Sequence, residues 1–139
     1  MRKVLVSACL LGQSCRYDGQ SKPCAGAELL LNKCHVIPVC PEIMGGLPTP
    51  RTPAERCGER VISRAGEDVT AQYRRGAEET LRLAKLFNCK YAILKEKSPS
   101  CGKGKIHNGK FDGGYIEGDG ITTKLLKNNW KKEILKLKD

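Results

Sequence analysis

The sequence predicts an α/β protein: a Rossmann-like, mainly parallel sheet with helices on both faces and a small hairpin. Three observations carry this expectation. Lys3–Ala8, His35–Val39 and Tyr91–Glu96 read as strands, and Val4, Leu5 and Val6 are apolar without alternation, as in a strand covered on both faces. Helical patterns fall between these strands, and strand–helix–strand–helix–strand order implies right-handed crossovers and parallel pairing. Asn108-Gly109 between Ile106 and Phe111 is the signal of a two-residue hairpin turn.

The elements follow in chain order. After the first strand, a polar loop runs from Cys9 to Pro23 and contains Arg16-Tyr17-Asp18-Gly19. A short helix is expected over Ala25–Asn32, before the second strand. A proline-rich loop from Pro41 to Pro53 is stiffened by Pro48 and Pro50, whose rings fix φ. Val61–Ser63 reads as a short edge strand. Asp68 or Thr70 caps the clearest helix, Thr70–Phe87. There Val69, Tyr73, Ala77, Leu81, Ala84 and Phe87 recur at helical spacing and form one apolar face. A helix over Ile121–Asn128 and an apolar stretch over Glu133–Leu137 close the chain.

The length of 139 residues suits one domain spanning 1–139, and 40% hydrophobic residues suffice for its core. No stretch approaches the ~20 apolar residues of a membrane span. The apolar run after Met1-Arg2-Lys3 is short and lacks the small-residue cleavage site of a secretion signal, so a cytoplasmic protein is expected. There the eight cysteines stay reduced and point to metal binding or catalysis rather than disulfides. They form no Cys-x-x-Cys pair, so any site is assembled by the fold. The net charge of +10 reads as a solvated basic surface or as attraction to phosphates. No arginine–aromatic interleaving marks a dedicated RNA platform.

Three cysteines stand where strands run out. Cys9 follows the first strand within Ser7-Ala8-Cys9-Leu10-Leu11-Gly12. Cys40 follows the second and lies two residues before Glu42. Cys101 lies just past the third within Ser98-Pro99-Ser100-Cys101-Gly102. In a parallel sheet all three meet at the carboxyl edge, where open α/β sheets place their chemistry. Each alone is as well explained as a buried structural cysteine. Their shared topological position favours a metal or iron–sulfur site with one open coordination position. Glu42 suits an adjacent general acid/base. Lys103-Gly104-Lys105 adds cations and exposable N–H groups beside Cys101. Cys15 is a reserve ligand, whereas Cys89 falls at the opposite edge and reads as packing. Neither His35 nor His107 is placed as a ligand or as the base of a cysteine nucleophile.

These segments resemble the thiouracil desulfidase family over nearly the whole chain. The resemblance is carried by Ser7–Gly12, Cys15–Gly19, Val39–Glu42, Gly45–Arg51, Gly66–Thr70 and Ser98–Gly102. It implies a 4Fe-4S cluster held by only three cysteines, Cys9, Cys40 and Cys101, with the fourth iron free to bind the sulfur of a thiolated pyrimidine. The implied reaction replaces that sulfur with oxygen, a hydrolysis of the C–S bond in thiouracil or 4-thiouridine monophosphate. It implies Glu42 as the base that activates water and Ser98 or Ser100 as donor to the ring nitrogen, Ser98 ranking slightly ahead. Relatives that act on thiolated tRNA carry an extra domain, so the end of the chain at Asp139 favours a free base or nucleotide, with tRNA second. Arg51, Lys103 and Lys105 are the expected contacts for a nucleotide phosphate. The rival expectation is a non-enzymatic metal- or RNA-binding protein whose thiols are structural, for instance a zinc site closed by Cys15.

Overall fold

The structure is a computed structural model that describes residues 2–21 and 23–135. β1 (Lys3–Ser7) stops one residue short of the expected strand, because Ala8–Leu11 wind into a 3-10 turn that carries Cys9. Gly12 closes that turn at φ 95°, a left-handed conformation that glycine adopts without strain. The expected first helix divides into α1 (Ala25–Leu29) and a 3-10 turn over Leu30–Asn32. β2 (His35–Val39) has its expected bounds.

The proline-rich segment differs from the expected loop at its start. Pro41–Met44 form a short helix, α2, with Pro41 in its first turn, where the missing N–H costs nothing. Glu42 therefore projects from a helix seated directly on the end of β2. β3 (Ala54–Cys57) and β4 (Arg60–Ser63) form an antiparallel hairpin of which the sequence showed only the second strand.

α3 (Thr70–Leu86) follows, its entry fixed by Asp68 Oδ1, which accepts from Thr70 N–H at 2.9 Å. The expected third strand contracts to β5 (Tyr91–Ile93). β6 (Lys105–His107) and β7 (Tyr115–Glu117) pair antiparallel. Asn108-Gly109 is thus not a two-residue turn but the start of a seven-residue loop. The Glu55 carboxylate causes this by accepting from the N–H groups of Gly109 and Phe111 at 2.9 and 3.2 Å. α4 spans Ile121–Asn129, one residue beyond expectation. β8 (Glu133–Leu135) turns the closing apolar stretch into a strand, and the rest of that stretch, Lys136 and Leu137, lies outside the described residues.

The main sheet has the order β2-β1-β5-β8, and every pair in it is parallel. The α/β expectation is met, with β8 as a fourth strand. Leu5, Ala92 and Ile134 project to one face and pack with Ala84 of α3, Leu126 of α4 and Trp130 just past α4. Val4, Val6 and Ile93 project to the other and pack with Ala27 of α1. Both faces are covered, which explains the unalternated apolar run in β1.

The chain leaves β1 toward β2 on one side and returns to β5 on the other. The crevice at the carboxyl ends of β1 and β5 is therefore the topological switch point. α2 reaches this crevice because it crosses α3 at two glycines. A Cβ on Gly76 would stand 1.8 Å from the Pro41 carbonyl oxygen, and one on Gly45 would stand 1.9 Å from that of Gln72.

Candidate active site

One cavity of about 710 Å³ opens at the carboxyl edge of the sheet, a size typical of small-molecule sites. Cys9, Cys40 and Cys101 all line it, together with Cys15; Cys9 and Cys40 follow the ends of β1 and β2, and Cys101 sits on the loop after the shortened β5. Cys9, Cys15 and Cys101 are buried and Cys40 is half-buried. Cys89 is fully buried just before β5, at the opposite edge, where its N–H donates to the Ala84 carbonyl.

Cys15 bridges two of the expected ligands. Its thiol lies within hydrogen-bonding reach of both Cys9 and Cys40, and its carbonyl oxygen accepts from Cys40 Sγ at 3.8 Å. The Cys15 hydrogen bond pulls the Cys9 thiol below its ordinary value against the cost of burial. A separate hydrogen bond, from the Cys40 thiol to Cys15, pushes the Cys40 thiol well up, and burial adds to it. Burial pushes the Cys101 thiol up to about 12. Among the described residues, no three His, Cys, Asp or Glu side chains converge on one point closely enough to hold a single metal ion. A closed zinc tetrahedron needs such convergence. A cubane differs, because each thiolate binds a different iron and the donors stand around the cluster. Three cysteines lining one cavity have, as soft thiolates, the donor chemistry for that second arrangement.

Glu42 lines the cavity beside these thiols. Its Oε1 accepts two hydrogen bonds, from the Tyr73 hydroxyl at 2.7 Å and from Arg51 Nε at 3.2 Å. Tyr73 was expected only as part of an apolar helical face. It is buried as expected, but its hydroxyl is aimed at the site. Burial and the neighbouring carboxylate push that hydroxyl far above its ordinary value, which keeps it a donor.

Arg51, expected to meet a substrate phosphate, is otherwise engaged. Besides Glu42, its guanidinium donates to the Pro48 carbonyl, the Thr49 hydroxyl and the Cys15 carbonyl, at 3.2, 3.1 and 3.0 Å. Four of its five N–H groups are used, and its side chain is only 6% exposed.

The two serines separate by environment. Ser98 lines the cavity, and its Oγ accepts from Cys101 N–H at 2.7 Å, which leaves the hydroxyl proton free to point elsewhere. Ser100 is fully buried, 3.0 Å from the Thr122 hydroxyl and 3.7 Å from Cys101 Sγ. Lys103 and Lys105 are not among the cavity-lining residues. Lys103 Nζ donates to the Ile134 carbonyl at 2.6 Å, and Lys105 is exposed on β6.

Other groups form the mouth. Arg16 lies over the Tyr17 ring at 5.9 Å, Arg64 over Phe111 at 5.4 Å, and Lys97 over Tyr115 at 5.0 Å. All six line the cavity, as does His107, whose ring centroid is 5.0 Å from that of Tyr115. His107 Nδ1 is buried without a hydrogen-bond partner. These residues come from four loops and hairpins, so their convergence leaves no local signature in sequence. Only Arg16-Tyr17 stood in a segment marked by its motif.

A family model described as 2-thiouracil desulfurase matches residues 4–136. The chain belongs to the 2-thiouracil desulfurase family. A Bacillus subtilis (strain 168) relative, the uncharacterized protein YbbK, is 43% identical, with 89% of each chain covered. A solved structure described as the 4Fe-4S-dependent thiouracil desulfidase TudS is 48% identical, with a TM-score of 0.92. That match covers 98% of this chain and 91% of the other. Membership of the 2-thiouracil desulfurase family agrees with the resemblance carried by the six motifs.

Proposed function

We propose that this desulfurase-family protein replaces sulfur with oxygen on a thiolated pyrimidine, with Cys9, Cys40 and Cys101 as the ligands of a 4Fe-4S cluster. The observation that carries this reading is the shared cavity of those three thiols and Glu42 at the sheet's switch point. The name of the TudS structure and the family description support the cofactor and the substrate class. When bound, the cluster would supply a Lewis-acidic iron for the soft sulfur of the substrate.

The remaining work falls to the chain's own side chains. Glu42 takes a proton from water, and the water oxygen attacks the ring carbon that carries sulfur. Ser98 donates its hydroxyl proton toward the adjacent ring nitrogen. The C–S bond breaks with its electron pair on sulfur. Water and the thiolated ring thus give the oxo ring and hydrogen sulfide, with no net oxidation. Ser100, buried against Thr122, supports the Cys101 turn instead. The aromatic rim holds the base and excludes bulk water.

At the finer level the substrate is a nucleotide such as 4-thiouridine monophosphate, its phosphate met by Arg16, Arg64 and Lys97 at the mouth. The reaction belongs in the cytoplasm, where thiols stay reduced. Among the described residues no helix is long and apolar enough to cross a membrane.

The test is anaerobic purification followed by steady-state kinetics. 2-Thiouracil, 4-thiouridine, 4-thiouridine monophosphate and thiolated tRNA are the substrates, and sulfide and the oxo product are measured. Turnover by a brown, air-bleaching protein is expected, fastest on the nucleotide. A colourless protein with full zinc occupancy and no turnover would overturn the reading. Fastest turnover of tRNA would replace the nucleotide with RNA.

A further inference from the structure

We infer that Tyr73 and Arg51 are positioning residues that hold Glu42 by one oxygen, Oε1, and leave Oε2 as the oxygen that takes the proton from water. The inference rests on the proposed role of Glu42 as the base. A carboxylate on a flexible stem samples several orientations, and a base that is 1 Å out of place loses much of its rate. Glu42 has no such freedom. Two donors approach the same oxygen from different elements, Tyr73 from α3 at 2.7 Å and Arg51 from the proline-rich loop at 3.2 Å. Among the described residues no hydrogen bond is made to Oε2. The side chain keeps 18% of its surface accessible in the cavity.

The two holders are themselves fixed. Tyr73 is 2% exposed and packs with Val61 and Val69. Arg51 is anchored by the carbonyls of Pro48 and Cys15 and by the Thr49 hydroxyl. Through the Cys15 carbonyl, the same guanidinium that orients Glu42 also fixes the loop beside Cys9 and Cys40. The hydrogen bonds to a charged acceptor are of the stronger kind. The apolar reading of Tyr73 thus accounts for its ring but not for its hydroxyl.

The test is a double-mutant cycle on the cluster-loaded protein: Tyr73→Phe, Glu42→Gln and the pair, with kcat and KM measured separately. Tyr73→Phe keeps the ring and the packing. It is expected to lower kcat by about 10- to 100-fold, the scale of a misplaced catalytic group, with KM and the visible spectrum unchanged. In the Glu42→Gln background the same substitution is expected to cost nothing further, because its effect passes through Glu42. Crystals of cluster-free Tyr73→Phe protein are expected to show the Glu42 carboxylate turned away from its wild-type position. Wild-type kcat in Tyr73→Phe, or an equal loss in both backgrounds, overturns the inference alone. Full activity of Glu42→Gln overturns the base assignment and the inference with it.

Discussion

The inner end and the mouth of the cavity are built by different rules. At the inner end, Cys9 and Cys101 are 8% and 5% exposed; Cys9 lies just past the end of β1, and Cys101 lies on the loop that follows β5 of the same parallel sheet. At the mouth, Tyr17 and Tyr115 are 40% and 43% exposed and sit on a loop and a hairpin outside that sheet. The inner end is specified by topology, because parallel strands with crossover helices must present their carboxyl ends together. The mouth is specified by side chains that meet only after the hairpins dock. On the proposed function, chemistry falls to the first region and substrate choice to the second.

Changes at the inner end should abolish chemistry, whereas changes at the mouth should only weaken binding. The largest effect is expected for Cys9→Ser, Cys40→Ser or Cys101→Ser. Each should lose the visible absorption of the cluster and the activity together, as read on anaerobically purified protein. A serine variant that kept both would remove that cysteine from the ligand set. Next is Glu42→Gln, which should keep the absorption and lose about 10²–10⁴-fold in kcat, the usual cost of removing a general base. The separation of colour from turnover distinguishes the two roles within one region.

Gly76→Ala tests how α2 is held. The added methyl meets the Pro41 carbonyl, which is backbone and cannot step aside. A loss of about 1–3 kcal/mol in thermal or denaturant unfolding is expected, with reduced cluster content because Cys40 leads into α2 and Glu42 sits on it. Unchanged stability and cluster content would show that α2 can shift without disturbing the site.

The same division explains what the sequence revealed. The unalternated run Val4–Val6, the bounds of β2 and the periodicity of α3 are local patterns, and they sufficed to place Cys9, Cys40 and Cys101 at one edge. α2 was missed because four residues are too few for periodicity, although Pro41 at its first turn was a usable signal. Tyr73 stood at apolar helical spacing, and spacing alone does not reveal where a phenolic hydroxyl points. The hairpin after β6 was misjudged because a carboxylate over 50 residues earlier, Glu55, captures the N–H groups of Gly109 and Phe111. Arg51 drew a phosphate assignment from its charge and its stiff loop, but the partner that claims it, Glu42, is set by how α2 folds.

The mouth offers the smaller effects. Phe111→Ala and Tyr115→Ala remove stacking surfaces, and a base–aromatic stack is worth about 1–3 kcal/mol. KM should therefore rise by roughly 5- to 160-fold, with kcat and cluster absorption near wild type. A fall in kcat at unchanged KM would move these rings from binding to chemistry and would break the division between the two regions.

The smallest expected effect concerns the cations over those rings. Arg64 is exposed and Arg16 and Lys97 are half-buried, so a contact from any one of them to a phosphate at the open end of the cavity is partly screened by water and salt. Such screened contacts are worth about 0.2–1 kcal/mol, so Arg64→Gln or Lys97→Gln should raise KM for 4-thiouridine monophosphate by only about 1.4- to 5-fold. The free base has no phosphate, and its KM should not move. High salt should erase the difference between wild type and variant on the nucleotide, because screening removes what the substitution removes. Equal sensitivity of nucleotide and free base would show that these cations act by holding their rings in place. The cation–π pairs would then be the structural scaffold of the mouth, and selection between base and nucleotide would have to lie elsewhere on the chain.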